Sequence, residues 1–196
     1  MKMLGLKLPT DPRWVNIVEK NIHEILTDHA FCEQKAASSA ISIAIKFSNR
    51  PELVSAMLDL AQEELEHFKM VHDIVVKRGW VLGKERRDEY VRKLTKFFPK
   101  PKNESYNLVH KLLYSALIEA RSCERFRLLS EEIKDEELKV FYHELMISEA
   151  NHYTMFLKFA RQYGEDLEVV NQKWDDLLEY EAQLMSELSV GESIHG

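Results

Sequence analysis

Two glutamates in this sequence stand three residues before a histidine, within runs whose apolar residues recur at the three- and four-residue steps of a helix. Glu64 precedes His67, and Glu149 precedes His152. Because residues three apart on a helix point to the same side, each pair can offer one carboxylate oxygen and one imidazole nitrogen to a metal ion. Both pairs lie in phase with apolar positions that should face a core, so we expect buried ligands rather than a solvated charged surface.

The two pairs belong to a repeat that runs through the chain. A glutamate on an apolar helix face precedes each pair at nearly the same distance: Glu33 lies 31 residues before Glu64, and Glu119 lies 30 residues before Glu149. By contrast, a third match to Glu-x-x-His, residues 192–195, has no apolar periodicity around it and is interpreted as accidental. The repeat indicates two similar halves, each with one glutamate and one Glu-x-x-His pair.

The repeat also distinguishes Glu64 from Glu63 and Glu66, the other two glutamates close to His67 in the sequence. Ser148 stands in the second half where Glu63 stands in the first, and Asn151 stands where Glu66 does. Only Glu64 has a carboxylate at the matching position. Glu63 and Glu66 are therefore interpreted as flanking polar residues.

Four carboxylates buried together would repel one another or take up protons, because an unpaired buried charge is costly. Two divalent cations would balance them, so we expect a site for two metal ions. A glutamate from each of two helices and Glu-x-x-His from two others is the ligand set known for ferritin-like di-iron proteins. Oxygen-rich ligands with one imidazole per metal suit iron or manganese better than zinc, and iron is our first choice. The predicted ligands are Glu33, Glu64, His67, Glu119, Glu149 and His152.

The elements that must position these ligands are helices. Periodicity, caps and breakers predict helices over roughly residues 13–26, 28–48 after a cap at Thr27, and 51–79 with Gly79 as a C-terminal cap. A further helix is predicted after a cap at Asn103, another from 135 to 164, and a last one over about 167–188. We therefore predict an all-α protein: a ferritin-like four-helix bundle with a long crossover between its second and third helices and extra N- and C-terminal helices. Residues 1–196 are predicted to form a single domain, with a basic crossover at about 77–102 and a flexible tail at about 190–196.

The composition agrees with a helical, globular chain. Hydrophobic residues make up 45% and charged residues 31%, with only 6 Gly and 5 Pro, which is too apolar for disorder and poor in turn residues. No stretch has the length of a signal peptide's apolar core or of a membrane span, so we expect a cytoplasmic protein with no membrane partner. The two cysteines form no CxxC motif and no disulfide framework, which leaves the metal to His and carboxylate ligands.

Positive charge is concentrated in the crossover. The whole chain has a net charge of -6, yet this segment carries ten Lys or Arg against three Asp or Glu. Trp80, Tyr90, Phe97 and Phe98 lie among these cations, which are Lys77, Arg78, Lys84, Arg86, Arg87, Arg92, Lys93, Lys96, Lys100 and Lys102. Such a segment could bind phosphate groups of an anionic partner. The alternative is a solvated connector whose aromatic residues pack into the bundle.

Two further residues lie near the predicted ligands on the helical pattern. His29 precedes Glu33 by one helical turn on the same face and is a candidate partner for that ligand. Cys123 follows Glu119 by one turn and either lines the oxygen or substrate pocket or packs as a small residue.

Beyond the ligands, four segments resemble the MiaE family of tRNA hydroxylases: DHAFCEQKAASSAI, LAQEELEHFKMV, ALIEARSCERFRLLSE and ISEANHYTMFLKFARQYG. The resemblance covers roughly residues 11–188. It implies a non-haem di-iron monooxygenase that uses dioxygen to hydroxylate the isopentenyl side chain of a methylthio-isopentenyl-adenosine beside the tRNA anticodon. The ten cations of the crossover then become candidate contacts to the anticodon stem-loop, and its aromatic residues could stack on unpaired bases.

Such a reaction needs electrons from outside the chain. No flavin or iron–sulfur motif occurs in the sequence, so a separate reductase or ferredoxin is implied, and the oligomeric state stays open. A ferritin- or bacterioferritin-like ferroxidase or iron-storage protein is the main alternative, since it would use the same ligands. A bundle that keeps its metal site only for structure is a third possibility.

Overall fold

The computed structural model of the protein describes residues 3–188 and residue 194, and within that part of the chain all regular structure is helical. This confirms the all-α prediction. Single 3₁₀ turns cover Met3–Gly5 and Thr95–Phe97. The helices are α1 (Trp14–Lys20), α2 (Ile22–Lys46), α3 (Pro51–Lys77), α4 (Glu89–Leu94), α5 (Glu104–Glu132), α6 (Glu136–Tyr163) and α7 (Leu167–Glu187).

The described residues form two compact units. The first unit contains residues 20–87 with residue 194, and the second contains residues 3–19 and 88–188. α2 and α3 belong to the first unit, whereas α4 to α7 belong to the second. The single domain over residues 1–196 stays a prediction.

In the first unit, α2 and α3 pack against each other through small and aliphatic residues. A short connection joins them, as in an antiparallel pair of helices. Ala37, Ala40 and Ala44 are buried on α2, and Leu53 and Leu60 are buried on α3. These positions follow the spacing of three, four and seven residues expected for the inward face of a helix.

The end of α3 is set by a glycine, as the sequence predicts. Gly79 has a φ of +73°, the left-handed conformation that glycine adopts without steric cost. The Gly79 N–H donates to the carbonyl of Val76 at 2.9 Å, and the Trp80 N–H donates to that of Val75 at 3.1 Å. These two bonds form a Schellman motif, which satisfies carbonyls that the helix itself leaves open.

The beginning of α2 differs from the prediction. A helix was expected to end at residue 26, with Thr27 capping the next; instead the break falls at Asn21, and α2 runs through Thr27. The buried Thr27 hydroxyl accepts a hydrogen bond from the Gly83 N–H at 3.3 Å, so it holds the segment after α3 rather than a helix end.

In the second unit, α5 and α6 form the corresponding helix pair. Side chains cap both helices: the predicted cap Asn103 accepts from the Tyr106 N–H at 2.8 Å, and Asp135 accepts from the Leu138 N–H at 3.1 Å. The short connection after α5 again favours antiparallel neighbours. α7 is the predicted C-terminal helix.

Gly164 ends α6 for a reason other than backbone conformation. Its φ is -73°, which any residue can adopt. A Cβ at this position would lie 2.3 Å from Cγ2 of Val170 at the start of α7. Glycine is required here because α7 approaches the chain too closely for a side chain.

The crossover contains a helix that the sequence analysis did not predict. α4 begins after Asp88, whose carboxylate accepts from the Val91 N–H at 2.9 Å, and it buries Tyr90 and Leu94. Its six residues are too few to show an apolar period. The crossover at about 77–102 is therefore helical in this segment.

A buried ionic cluster links α5 to three other parts of the second unit. The fully buried Arg121 guanidinium donates to Glu181 of α7 at 2.6 Å and to Glu124 at 3.0 Å. Glu124 also accepts from the Thr10 hydroxyl at 2.6 Å, and Glu181 accepts from the Tyr90 hydroxyl at 3.3 Å. Each charge has a partner, which a buried ion requires.

Arg125 extends this cluster toward α1. Its guanidinium lies over the indole of Trp14, with its central carbon 4.5 Å from the ring centroid, and its Nε donates to the Thr10 hydroxyl at 3.3 Å. Burial, reinforced by the neighbouring Arg121 charge, lowers the pKa of Arg125 to about 10. Arg125 therefore remains charged at neutral pH.

His110 on α5 makes the stability of the protein depend on pH. Its ring packs 4.1 Å from that of Tyr106 and 5.0 Å from that of Phe98, and burial, with a smaller contribution from the Lys173 charge, lowers its pKa from 6.5 to about 4. As the pH falls below 6.5, the unfolded chain takes up a proton at this residue before the folded protein does.

We expect the wild-type protein to lose about 1 kcal/mol more stability than His110→Gln between roughly pH 7 and pH 5. Urea denaturation of both proteins at the two pH values measures the difference. Equal losses in the two proteins would show that His110 keeps an ordinary pKa in the folded state.

Two remaining predictions concern the chain end and membranes. The predicted tail at about 190–196 lies outside the described residues except for Ile194, which is buried and whose N–H donates to Asp28 at 2.7 Å. Among the described residues, no helix has the length and apolar character needed to cross a membrane.

Candidate metal centre

The first half of the sequence repeat brings its predicted ligands together within the first unit. Glu33 on α2 and Glu64 and His67 on α3 are all at most 5% exposed. One oxygen or nitrogen atom from each lies within 4.8 Å of the corresponding atoms of the others. We call these three residues the first triad.

The imidazole of the first triad has a defined orientation. Nδ1 of His67 lies 3.4 Å from a carboxylate oxygen of Glu64 and 3.8 Å from one of Glu33, so this nitrogen faces both ligand carboxylates. Its Nε2 points the other way, where an oxygen of Glu63 lies 3.9 Å distant. A metal ion shared with the two carboxylates would therefore meet Nδ1.

His29 lies where the sequence predicted a partner for Glu33. Its side chain is fully buried, and Nε2 lies 2.5 Å from Oε1 of Glu33. The second oxygen of Glu33, Oε2, is the one that faces His67. One oxygen of this carboxylate is thus held by an imidazole while the other turns toward the ligand atoms.

The second half of the repeat forms an equivalent group within the second unit. Glu119 on α5 and Glu149 and His152 on α6 are also at most 5% exposed, and one ligand atom from each lies within 4.8 Å of the others. Nδ1 of His152 lies 4.0 Å from Oε1 of Glu149, so Nδ1 again faces a carboxylate oxygen of the glutamate three residues before it. We call these residues the second triad.

The chemistry of each triad fits a divalent metal ion. Two carboxylates and one imidazole present oxygen and nitrogen donors of the type that iron and manganese prefer. The two negative charges, which would be costly in a buried place, would be balanced by the ion. Each unit therefore contains a buried Glu/His group, and these groups are compatible with the ligands of a di-iron site.

The thiol of Cys123 faces α6 and is not in its reactive thiolate form. Its sulfur donates to the backbone carbonyl of Met146 at 3.3 Å, and the residue is buried. Burial raises the pKa of the thiol to about 11, so it stays protonated at neutral pH. A role in lining an oxygen or substrate pocket stays a prediction.

The ten cations of the crossover differ in how far they are exposed. Arg86 lies 3.9 Å from a Glu24 carboxylate oxygen, and Arg92 pairs with Glu89 at 2.6 Å. Arg78, Arg86 and Lys93 are half-buried. The exposed members are Lys77, Lys84, Arg87, Arg92, Lys96, Lys100 and Lys102.

The aromatic residues of the crossover also differ in exposure. Tyr90 is buried and bonded to Glu181, so the idea that it stacks on a nucleotide base was wrong. Trp80, Phe97 and Phe98 keep part of their surface exposed. Phe97 and Phe98 already pack edge to face, with ring centroids 5.1 Å apart.

Comparison with known proteins places these features in a family. A family model described as tRNA-(MS[2]IO[6]A)-hydroxylase (MiaE) matches residues 2–196. The tRNA 2-(methylsulfanyl)-N(6)-isopentenyladenosine(37) hydroxylase of Pseudomonas putida is 38% identical over 164 residues, covering 84% of this chain and 78% of that protein. The Salmonella typhimurium protein of the same name is 30% identical over 210 residues, covering 82% of this chain and 77% of that protein.

A solved structure agrees with the predicted ferritin-like fold class. The structure of "Protein 43 with aldehyde deformylating oxygenase activity from Synechococcus" matches with a TM-score of 0.90 and 30% identity. The match covers 97% of this chain and 95% of that chain.

Proposed function

The chain belongs to the MiaE family of tRNA hydroxylases, and from that premise we propose that it hydroxylates the isopentenyl side chain of a methylthio-isopentenyl-adenosine next to the tRNA anticodon. The observation that carries this proposal is the family match over residues 2–196, together with buried Glu/His triads of the kind that a di-iron enzyme requires. The same match favours tRNA hydroxylation over iron storage.

In this proposal the first triad would hold one iron ion and the second triad would hold another. When bound, the metal would supply activation of dioxygen, the co-substrate, for oxidation of a C–H bond. The residues of the chain hold the ligand atoms in place and bury them. Burial of the triads keeps bulk water away from the reacting atoms.

The stoichiometry of the reaction implies a partner. Replacing C–H by C–OH with dioxygen consumes two electrons and two protons for each oxygen atom inserted, and releases the second oxygen atom as water. We propose that a separate reductase or ferredoxin delivers the electrons. Because the substrate is tRNA, we also propose that the enzyme works in the cytoplasm.

The modified nucleosides of tRNA provide the direct test. In a strain that makes the isopentenylated precursor, deleting the gene should remove the hydroxylated nucleoside and cause the precursor to accumulate. Mass spectrometry of digested tRNA measures both species. Identical nucleoside profiles with and without the gene would contradict the proposed function.

We further propose that exposed lysines of the crossover bind the phosphates of the anticodon stem-loop. Lys100 and Lys102 are exposed and lie in a segment rich in positive charge. Replacing both by alanine is expected to weaken binding of anticodon stem-loop RNA roughly tenfold at low salt. The slope of log K against the logarithm of the salt concentration should become shallower by about two. Fluorescence anisotropy over a series of salt concentrations measures both quantities.

A variant with the same loss of charge elsewhere is the matched control. Lys46 on α2 and Lys69 on α3 are exposed as well, and the double variant Lys46→Ala/Lys69→Ala should bind with nearly the wild-type salt slope. Equal losses for the two double variants would mean that net charge alone, rather than the crossover, determines binding.

A further inference from the structure

Aromatic rings and lysines meet on one surface of the second unit. Residues 90–102 of the crossover contain five Lys or Arg and no Asp or Glu. Phe97 lies in this segment and is half-exposed. Its ring centroid lies 5.4 Å from that of Tyr180 on α7, and 5.9 Å from Nζ of Lys173, which is also on α7. The basic segment and α7 therefore come together at Phe97.

Lys173 holds its charge against two aromatic rings. Besides its contact with Phe97, its Nζ lies 4.9 Å from the ring centroid of Tyr106 on α5. Among the described residues, no carboxylate forms an ion pair with this half-buried ammonium. A cation that rings keep in place and no carboxylate neutralises can still bind an anionic group of a ligand.

Phe97 is the outer ring of the adjacent pair that it forms with Phe98. Phe98 packs against the buried ring of His110 on α5, with 5.0 Å between the centroids, so it turns toward that helix. Phe97 instead contacts Tyr180 and Lys173, which are both half-exposed. An aromatic ring at the surface can stack on a nucleobase, because every base has a flat π face.

Hydrogen bonds hold the parts of this surface in place. The Tyr180 hydroxyl donates to the carbonyl of Lys93 at 3.1 Å, which fastens the basic segment to α7. The Ser105 hydroxyl donates to the carbonyl of Tyr163 at 2.8 Å, which fastens the start of α5 to the end of α6. A surface that is already in its binding geometry loses less conformational entropy when a ligand binds.

We propose that Lys173 and Phe97 bind one unpaired nucleotide of the anticodon loop, Lys173 through a phosphate and Phe97 by stacking on the base. An unpaired nucleotide offers both an anion and a free aromatic face, whereas the bases of a duplex are stacked within the helix. Lys173 lies on α7, outside the crossover, so the charge distribution of the crossover does not reveal it. This inference rests on the proposed function, which supplies RNA as the substrate.

Binding of two RNAs to the protein tests the stacking contact: the anticodon stem-loop, and a fully paired duplex with the same number of phosphates. Phe97→Leu should weaken binding of the stem-loop about fivefold to 100-fold, because the stacking of one base is lost. Its affinity for the duplex and its salt slope for the stem-loop should not change. Phe97→Tyr keeps an aromatic face and should bind the stem-loop nearly as the wild-type protein does. Fluorescence anisotropy measures all four quantities.

Lys173→Ala should act through charge instead. Loss of one phosphate contact should weaken binding of the stem-loop about threefold at low salt and make the salt slope shallower by about one. Lys46 of α2 is the matched control, because its Nζ also lies over a ring, 5.8 Å from the centroid of Phe47, but belongs to the first unit. Lys46→Ala should keep nearly the wild-type slope.

A Phe97→Leu protein that binds the stem-loop as tightly as the wild-type protein would overturn the inference. Equal losses for the stem-loop and the duplex would do the same, as would a Lys173→Ala protein with the salt slope of Lys46→Ala. If the variants keep their RNA affinity but slow electron delivery from a reductase, the surface belongs to a protein partner and the inference is wrong. The proposed function is tested separately by the nucleoside profiles of tRNA with and without the gene.

Discussion

Replacement of Glu64 by alanine is expected to abolish tRNA hydroxylation by this protein. Glu64 is 1% exposed and supplies one of the two carboxylates of the first triad. Without it, the triad offers one negative charge to a divalent ion and lacks one of its oxygen donors. We expect iron in anaerobically loaded protein to fall from about two ions per chain to one or fewer, and hydroxylation to fall by roughly 100-fold or more.

The measurements are the iron content of the purified variant and the fraction of hydroxylated nucleoside after reaction with precursor tRNA. Glu66→Gln is the matched control, because Glu66 lies on the same helix and is exposed; both readouts should keep their wild-type values. A Glu64→Ala protein with full iron content and full activity would show that Glu64 is not a ligand. If the site served structure alone, Glu64→Ala would lower stability, and no variant of the triads would change a reaction.

The largest expected effect on stability comes from Arg121. Arg121→Met should lower the free energy of unfolding by about 3–5 kcal/mol, because it leaves Glu124 and Glu181 buried without the guanidinium that both contact. Burial already raises the pKa of Glu181 in spite of that guanidinium, which shows how strongly the site disfavours an isolated charge. Urea denaturation followed by circular dichroism measures the change.

An arginine on the same helix provides the comparison. Arg127 pairs with Glu131 at 2.8 Å, but both side chains are partly exposed, and Arg127→Met should cost at most about 1 kcal/mol. Similar losses in the two variants would contradict the view that burial of the partners, rather than the ion pair itself, determines the effect.

The positions of the long helices could be predicted because their signals are local. The apolar faces of α2, α3, α5 and α6 repeat over many turns, and caps such as Asn103 and Asp135 act on amides only three residues away. Glu33 and Glu119 could be singled out for the same reason, as polar residues within such faces. The repeat then assigns each of them to one Glu-x-x-His pair, because Glu33 lies 31 residues before Glu64 and Glu119 lies 30 residues before Glu149.

The features that the sequence analysis missed depend on contacts between distant segments. Arg121, Glu124 and Arg125 look like an ordinary charged stretch, and only the approach of Thr10 and Glu181 makes a buried cluster of them. No local pattern contains that information.

Glu63 shows the same limit at the candidate metal centre. Its mismatch with Ser148 led to its interpretation as a flanking residue. In the structure it lies one turn before His67 and on the outer side of that ring, where its carboxylate contacts Nε2 at 3.9 Å. The interpretation of Glu63 as a flanking residue stays a prediction, because the spacing of residues in the sequence does not give this distance.

The contact between Arg125 and Trp14 gives the protein an internal optical reporter. The indole is fully buried, and the guanidinium lies 4.5 Å from its ring centroid. Release of α1 from Arg125 of α5 would expose this ring to water and shift its fluorescence emission to longer wavelength. A single-tryptophan protein that retains Trp14 could therefore follow detachment of α1 separately from melting of the long helices.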